Sequence, residues 1–289
     1  MKSINCATQL PNYFNPKTQI RRLLVGAYYC LISELRIQST TRRLIKMWKK
    51  TPSPFNREAI IIAGGPSFNS EVAKSIIDSE RKFDIFSINN YCQNNISQDL
   101  VPDYYILSDP VFFKSGYQGE FSDNDSIQEY TSRHSRIKMI VPINCWVNRY
   151  SKKPFVAFDD RENLLSANID PCLPRGYTSN TTLKALAIAL KLGYDRIFIL
   201  GFDFDYPNKI RVDESNRLTL LNQHHYSTVL SDFNKYYSGI GHALNWWSHD
   251  YYYAIKLNRK GVINVTTSSL MDAFERMKCD DFLTYLKYF

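Results

Sequence analysis

The chain has 289 residues, 44% hydrophobic and 22% charged, with a formal net charge of +8. That composition supplies a core and excludes dominant disorder, while a mean hydropathy of -0.34 and the lack of any run of about 18 apolar residues exclude a polytopic membrane protein. The charge is unevenly placed: residues 1–57 hold eleven basic side chains and one acid, Glu34, for a net of +10, whereas residues 58–289 sum to -2. The body therefore has no general excess of cations for tracking phosphates, and nucleic acid is not an expected partner.

Two parts follow from this partition: a basic helical N-terminal arm, 1–57, and a body, 58–289. In the arm, Leu23 to Ser33 is too short an apolar stretch to cross a bilayer as a helix. Leu44, Ile45, Met47 and Trp48 alternate with Arg42, Arg43, Lys46, Lys49 and Lys50. This mixture suits either an interfacial helix on an anionic membrane surface or a helix packed on the body with its basic face in water. Thr51-Pro-Ser-Pro54 reads as a linker. The six cysteines form no CxxC pair and read mostly as core thiols of a reducing compartment. With no signal-peptide pattern, the expected location is the cytoplasm, peripheral on the inner face of its membrane.

The body reads as alternating strands and helices. Ala59 to Ala63 is a short, continuously apolar run, as in a strand buried on both faces. The turn Gly64-Gly65-Pro66-Ser67 and a helix over about 70–79 follow. Further strands are expected at 83–88, ending in Asn89-Asn90, at 104–107, ending in Ser108-Asp109-Pro110, and at 138–142. Residues 180–193 form the clearest helix, capped by Ser179 or Asn180 and stopped by Gly193. A strand at 196–200 leads into Gly201-Phe-Asp-Phe-Asp-Tyr206. Residues 207–240 read as a mobile loop region, 246–258 as a helix, 262–266 as a strand and 269–277 as the last helix. The fold class is α/β: a Rossmann-like, mostly parallel sheet with helices on both faces, plus the basic arm.

Ligands of such sheets bind outside the carboxyl ends of the strands, so the residues there are the candidates. Gly64, Gly65, Pro66 and Ser67 would let a phosphate approach backbone and helix N-terminus, although a plain tight turn uses the same residues. They match neither GxGxxG nor a P-loop. Asp203 and Asp205 form a DxD pair that could hold a divalent cation on a diphosphate, if both carboxylates point inward. His242, in Gly239-Ile-Gly-His, stands at an expected rim, and His224-His225-Tyr226 is a second cluster; histidine alone has an ordinary pKa suited to taking a proton near neutrality. Arg175, Arg211 and Tyr206 could stabilise charge on a leaving phosphate.

Taken in order, Ile61-Ile-Ala-Gly-Gly-Pro-Ser67, Phe83-Asp-Ile-Phe-Ser-Ile-Asn89-Asn90 and Leu107-Ser-Asp109-Pro-Val-Phe-Phe113 resemble bacterial sialyltransferases of glycosyltransferase family 42. So do Thr178 to Tyr194, Ile199-Leu-Gly-Phe-Asp203-Phe204, Ile240-Gly-His242 and Ser268 to Phe274. The related 6-hydroxymethylpterin diphosphokinase-like proteins share the GGPS turn, the strand-end Asp and the Gly-x-Asp features. The resemblance covers about residues 58–277. It implies a glycosyltransferase-A-like fold, a nucleotide-sugar donor (typically CMP-sialic acid) and inversion without a resident metal or other cofactor. It also implies an oligosaccharide or lipid-linked glycan acceptor of lipopolysaccharide or capsule biosynthesis. By the same resemblance His242 is expected to be the general base, while Tyr206 and Arg211 are expected beside the leaving group on the chemical ground given above. The resemblance puts the Gly65-Pro66-Ser67 turn and Asn89 against the nucleotide, and Gly64, Asp109, Ser179, Asn180 and Asp203 are the further residues expected to bind it. This sequence departs from the sialyltransferase pattern at Asp109 (Asn there), at Gly239 (Tyr there) and at Asp205, where the family's Tyr is displaced to Tyr206. A Mg²⁺-dependent diphosphokinase or nucleotide phosphotransferase is the alternative. Whether the chain is a monomer or a homo-oligomer is open.

Overall fold

The computed structural model describes residues 39–54, 57–113, 124–143, 155–161, 168–174, 178–224 and 227–288. Helix α1 covers 39–48. It is followed by β1 (Glu58–Ile62), α2 (Ser70–Ile77), β2 (Asp84–Ile88), β3 (Tyr104–Ile106), α3 (Asn124–Arg133), β4 (Lys138–Pro142), β5 (Val156–Phe158), α4 (Thr181–Leu192) and β6 (Arg196–Leu200). Then come β7 (Ile210–Val212), β8 (Leu218–His224), β9 (Ser227–Asp232), α5 (Ile240–Leu257), β10 (Val262–Asn264), β11 (Glu275–Arg276) and α6 (Cys279–Tyr288).

Eight strands form one sheet in the order β11-β10-β6-β1-β2-β3-β4-β5, and every pairing in it is parallel. Alternate side chains feed opposite layers. Ala59, Ile61, Phe86, Ile197 and Ile199 pack toward α1, α4 and α5, whereas Ile60, Ile62, Ile85 and Phe198 pack toward α2, α3 and α6. The α/β class, with helices on both faces, is thus as expected from the continuous apolar strands.

α4 forms where its caps dictate. The Asn180 side chain accepts from Thr182 N and Leu183 N, and Gly193, at φ 98°, takes the left-handed C-terminal position.

Two expectations are corrected. First, residues 207–240 are not a loop region: β7, β8 and β9 form a three-stranded antiparallel sheet. Its first turn is built by Asp213, whose carboxylate accepts Ser215 N at 3.0 Å and Arg217 N at 2.8 Å. Second, 269–277 is not a helix. The N–H of Leu270 goes to Asp203 O at 2.9 Å and that of Met271 to Ser269 Oγ at 3.1 Å, so the backbone is tied to the segment after β6. The sequence leaves the helix ahead of residue 57 between two readings. Leu44 and Trp48 of α1 are buried in the core, and Trp48 Nε1 donates to Ala157 O at 2.9 Å. Arg42, Arg43, Lys46, Lys49 and Lys50 are exposed, so of the two readings of this helix, the packed one describes residues 39–48. Residues 1–38, 55 and 56 of the arm, including the apolar stretch Leu23 to Ser33, lie outside the described residues. Among the described residues no helix is long and apolar enough to cross a membrane.

Candidate active site

The strand order locates the site before any side chain is considered. From β1 the chain proceeds outward through β2, β3, β4 and β5, then returns to place β6 on the other side of β1 and continues to β10. Connections therefore leave β1 and β6 in opposite directions, and a crevice opens at the carboxyl ends of these two strands. A cavity of about 280 Å³ lies there, lined by Gly64 and Gly65 after β1, Asn89 after β2, Ser179 to Thr182 at the start of α4, and Gly201 to Tyr206 after β6.

The glycine turn is held tightly. Gly65 N donates to Gly201 O at 2.9 Å, and a Cβ on Gly65 would lie 1.8 Å from Asp203 Oδ2. Asp203 is buried and serves that turn: Oδ2 accepts from Ser67 Oγ at 3.1 Å, and Oδ1 accepts from Ser268 Oγ at 3.3 Å. Asp205 pairs with Lys209 at 2.9 Å. The two carboxylates of the DxD pair thus have separate partners. Among the described residues no three His, Cys, Asp or Glu side chains gather as they would around a metal ion.

Asn89 has φ 47°, in the left-handed region that most side chains avoid. Its Nδ2 donates to Thr181 Oγ1 at 3.2 Å, while its buried Oδ1 has no protein partner. Thr181 Oγ1 also meets Ser108 Oγ at 2.7 Å. Ser108 Oγ accepts from Lys184 Nζ at 3.2 Å, and Lys184 forms a buried ion pair with Asp160 at 2.9 Å. The start of α4 is fixed from its other side by Asp250, which accepts from Thr178 Oγ1 at 2.7 Å and Ser179 N at 3.0 Å. Burial pushes the Asp250 carboxyl above its ordinary range despite these bonds.

The remaining wall is aromatic. Phe204, at φ 51°, stacks on Trp247 with 5.3 Å between ring centroids and accepts the indole N–H at 3.3 Å. Tyr206 meets Tyr237 edge-on at 5.6 Å, and burial holds the Tyr206 hydroxyl far above the ordinary tyrosine range. Trp246 completes the wall. His224 closes the remaining side: its Nδ1 lies 3.1 Å from Gly64 O, and burial lowers its pKa below the usual 6.5.

Of the candidate residues read from the sequence, Gly64, Gly65, Asn89, Ser179, Asn180, Asp203 and Tyr206 are brought together around the cavity. Pro66 and Ser67 do not line it; Ser67 lies behind the turn and anchors Asp203. Asp109 is exposed and accepts from Val111 N at 3.0 Å, folding its own turn rather than reaching the cavity. Arg211 is exposed on β7, where its guanidinium is spent on the carbonyls of Asn208 and Ile210. His242 is not among the lining residues. It sits in the first turn of α5, which begins earlier than the expected 246, and is exposed, with Nε2 2.5 Å from Trp246 Nε1. Arg175 and His225 lie outside the described residues.

Sequence reading passed over Trp246, Trp247, Tyr237, Lys209 and Asp250. The spacing of 246, 247 and 250 on one helical face, directed at a small-residue helix start, was the available signal.

Comparison with known proteins adds three findings. No curated protein matches the chain. Among solved structures, the MAf glycosyltransferase from Magnetospirillum magneticum AMB-1 aligns at 13% identity and a TM-score of 0.49, over 84% of this chain and 39% of that one. The chain thus spans about two-fifths of that protein's aligned chain. The family model described as 6-hydroxymethylpterin diphosphokinase MptE-like matches residues 31–209, more than half of the chain, starting ahead of the seated helix α1 and running through the glycine turn, α4 and the Asp203 segment. The expectation of membership in this superfamily is met: the chain belongs to the MptE-like family.

Proposed function

We propose that this protein is a glycosyltransferase that moves a sugar from a nucleotide-activated donor, CMP-linked by the sialyltransferase resemblance, to a hydroxyl of a bacterial surface glycan. The carrying observation is the cavity itself. A nucleotide sugar needs a close backbone approach for its phosphate and flat surfaces for its rings. Here a glycine turn and a helix start face Phe204, Tyr237, Trp246 and Trp247 across one crevice. Lys209, also in the wall, is placed to offset charge on the leaving phosphate. The exposed cations of α1 would hold the enzyme against an anionic membrane surface, beside a lipid-linked acceptor.

The family description supports a second reading, a Mg²⁺-dependent diphosphokinase. Asp203 and Asp205 are the carboxylates that would hold such an ion. Ser67 and Ser268 occupy the first and Lys209 the second, so the donor set as it stands does not fit.

The test is to incubate the full chain with CMP-, CDP-, UDP- and GDP-sugars and with ATP, each with Mg²⁺ or with EDTA. EDTA-insensitive release of nucleotide from a sugar donor is expected. ATP consumption that requires Mg²⁺, with every sugar donor intact, would replace this reading with the second.

A further inference from the structure

Helix α5 walls the crevice on one side and meets solvent on the other. Its inner residues Ala243, Trp246, Trp247 and Asp250 line the cavity, and Tyr253, Ala254 and Leu257 are buried in the core with α4. On the opposite side, Ile240, Leu244, Ser248, Tyr252 and Ile255 recur every three or four residues, which places them in one stripe along the helix. The four large apolar members of that stripe are all exposed, from 39% at Ile240 to 54% at Tyr252. At 1.5 Å per residue the stripe is about 22 Å long. The outer face of a helix in water ordinarily carries charged or polar side chains, so a continuous apolar one marks a surface that a partner covers.

The charges around the stripe identify the partner. Residues 240–260 contain one acid, Asp250, and it is buried. Lys256 is exposed, with its ammonium 5.1 Å from the ring centre of Tyr252, and Arg259 and Lys260 are exposed just beyond the helix. α1, on the same side of the sheet, adds its exposed cations and the exposed Ile45. Acids that reach this layer are engaged: Asp160 by Lys184, Asp170 by Lys191 and the exposed Asp272 by the Tyr251 hydroxyl. An apolar stripe bordered by lysine and arginine, with a tyrosine at the border, is the pattern of a helix lying in the interface of an anionic bilayer. A second copy of the chain, meeting the stripe with its own across a two-fold axis, would bring more cations and no acid to pair with them.

We propose that the outer stripe of α5 enters the interface of an anionic membrane, with Lys256, Arg259 and Lys260 among the headgroup phosphates. This deepens the membrane part of the reading above and rests on it. α1 supplies attraction, α5 supplies apolar insertion, and the helix that walls the crevice is the one seated in lipid. Salt screens the attraction of the cations but leaves apolar burial in place, so the two contributions separate experimentally.

The test floats the full chain and the triple variant Leu244→Ser, Tyr252→Ser, Ile255→Ser with phosphatidylcholine vesicles, with and without phosphatidylglycerol, at low salt and in about 0.5 M NaCl. Wild type should bind the anionic vesicles and keep part of that binding at high salt. The triple variant should lose at least about tenfold in partition at low salt and all binding at high salt, and Ile255→Ser alone about threefold at low salt. The substituted positions are exposed and outside the cavity, so denaturation midpoints and donor turnover without vesicles should match wild type. Equal partition of wild type and the variants, or wild-type binding that vanishes at high salt, overturns the assignment of α5 and leaves attraction by α1 standing. Wild type that binds no vesicle overturns the membrane reading with it. A wild-type dimer that the triple variant renders monomeric, with no vesicle binding, gives the stripe to a second copy instead. Vesicle binding as expected, with no sugar donor turned over, upholds the membrane face and refutes glycosyl transfer.

Discussion

Replacing Gly65 with alanine isolates the contact on which the site is built. Gly65 has no positive φ, so the substitution carries no backbone penalty and its effect is steric. The new Cβ would lie 1.8 Å from Asp203 Oδ2 and 2.4 Å from Gly201 O, where real Cβ atoms keep at least 3.0 Å. The carboxylate must therefore retreat by about 1.2 Å and the carbonyl by about 0.6 Å. The first movement breaks the bond from Ser67 Oγ, worth about 1.5–3 kcal/mol for a charged acceptor, and the second stretches Gly65 N to Gly201 O beyond bonding, worth about 1 kcal/mol. G65A should thus lose about 2.5–4 kcal/mol in urea denaturation and, on the CMP-linked reading proposed above, bind CMP more weakly by calorimetry. Gly64→Ala is the control: its Cβ would meet His224 Nδ1 at 3.4 Å, an ordinary contact, and it should cost less than about 1 kcal/mol. In an Asp203→Ala background only the carbonyl clash remains, so the added cost of G65A should fall to about 1 kcal/mol. A G65A protein within about 1 kcal/mol of wild type, with unchanged CMP affinity, would refute the reasoning.

Three further outcomes follow from the same contacts. Trp48→Ala should destabilise the protein by about 3–5 kcal/mol, because it opens a cavity and strands Ala157 O; denaturant midpoints measure this, and a near-neutral result would mean that α1 is not seated. Lys184→Met should cost about 3–5 kcal/mol by leaving Asp160 charged and buried, and the double variant K184M/D160L should recover much of that in the same assay. Burial of His224 means that the unfolded chain takes up a proton near pH 6.5 while the folded ring resists it. Stability should therefore fall as pH drops below 6.5 toward the lower folded value, and H224Q should flatten that slope in unfolding curves at successive pH values.

The parallel sheet was legible because its strands are buried on both faces and read as unbroken apolar runs, as in Ala59 to Ala63. α4 was legible because Asn180 and Gly193 mark both ends. The small antiparallel sheet was hidden because it is half-solvated: β8 buries Leu220 fully, and the rest of the strand is polar or partly exposed. The helix expected at 269–277 failed because Ser269 and the N–H of Leu270 bond to the Phe202–Asp203 backbone. At the site, glycines and strand-end residues were found by position along the chain. Asp109 and Arg211 were misplaced because their partners are local backbone groups, which residue type does not reveal. Trp246, Trp247 and Asp250 required knowing that α5 starts at residue 240 and contacts α4.

Trp48 on Ala157 also changes what the basic segment can do. A flexible tether would present the α/β body to a surface in every orientation. Residues 39–48 are instead clamped to the edge of the sheet that carries the crevice, with Arg42, Lys46, Lys49 and Lys50 outward. Any negatively charged plane that engages those side chains therefore sets the tilt of the crevice as well as its distance. On the membrane reading proposed above, α1 would therefore aim the crevice as well as hold it close.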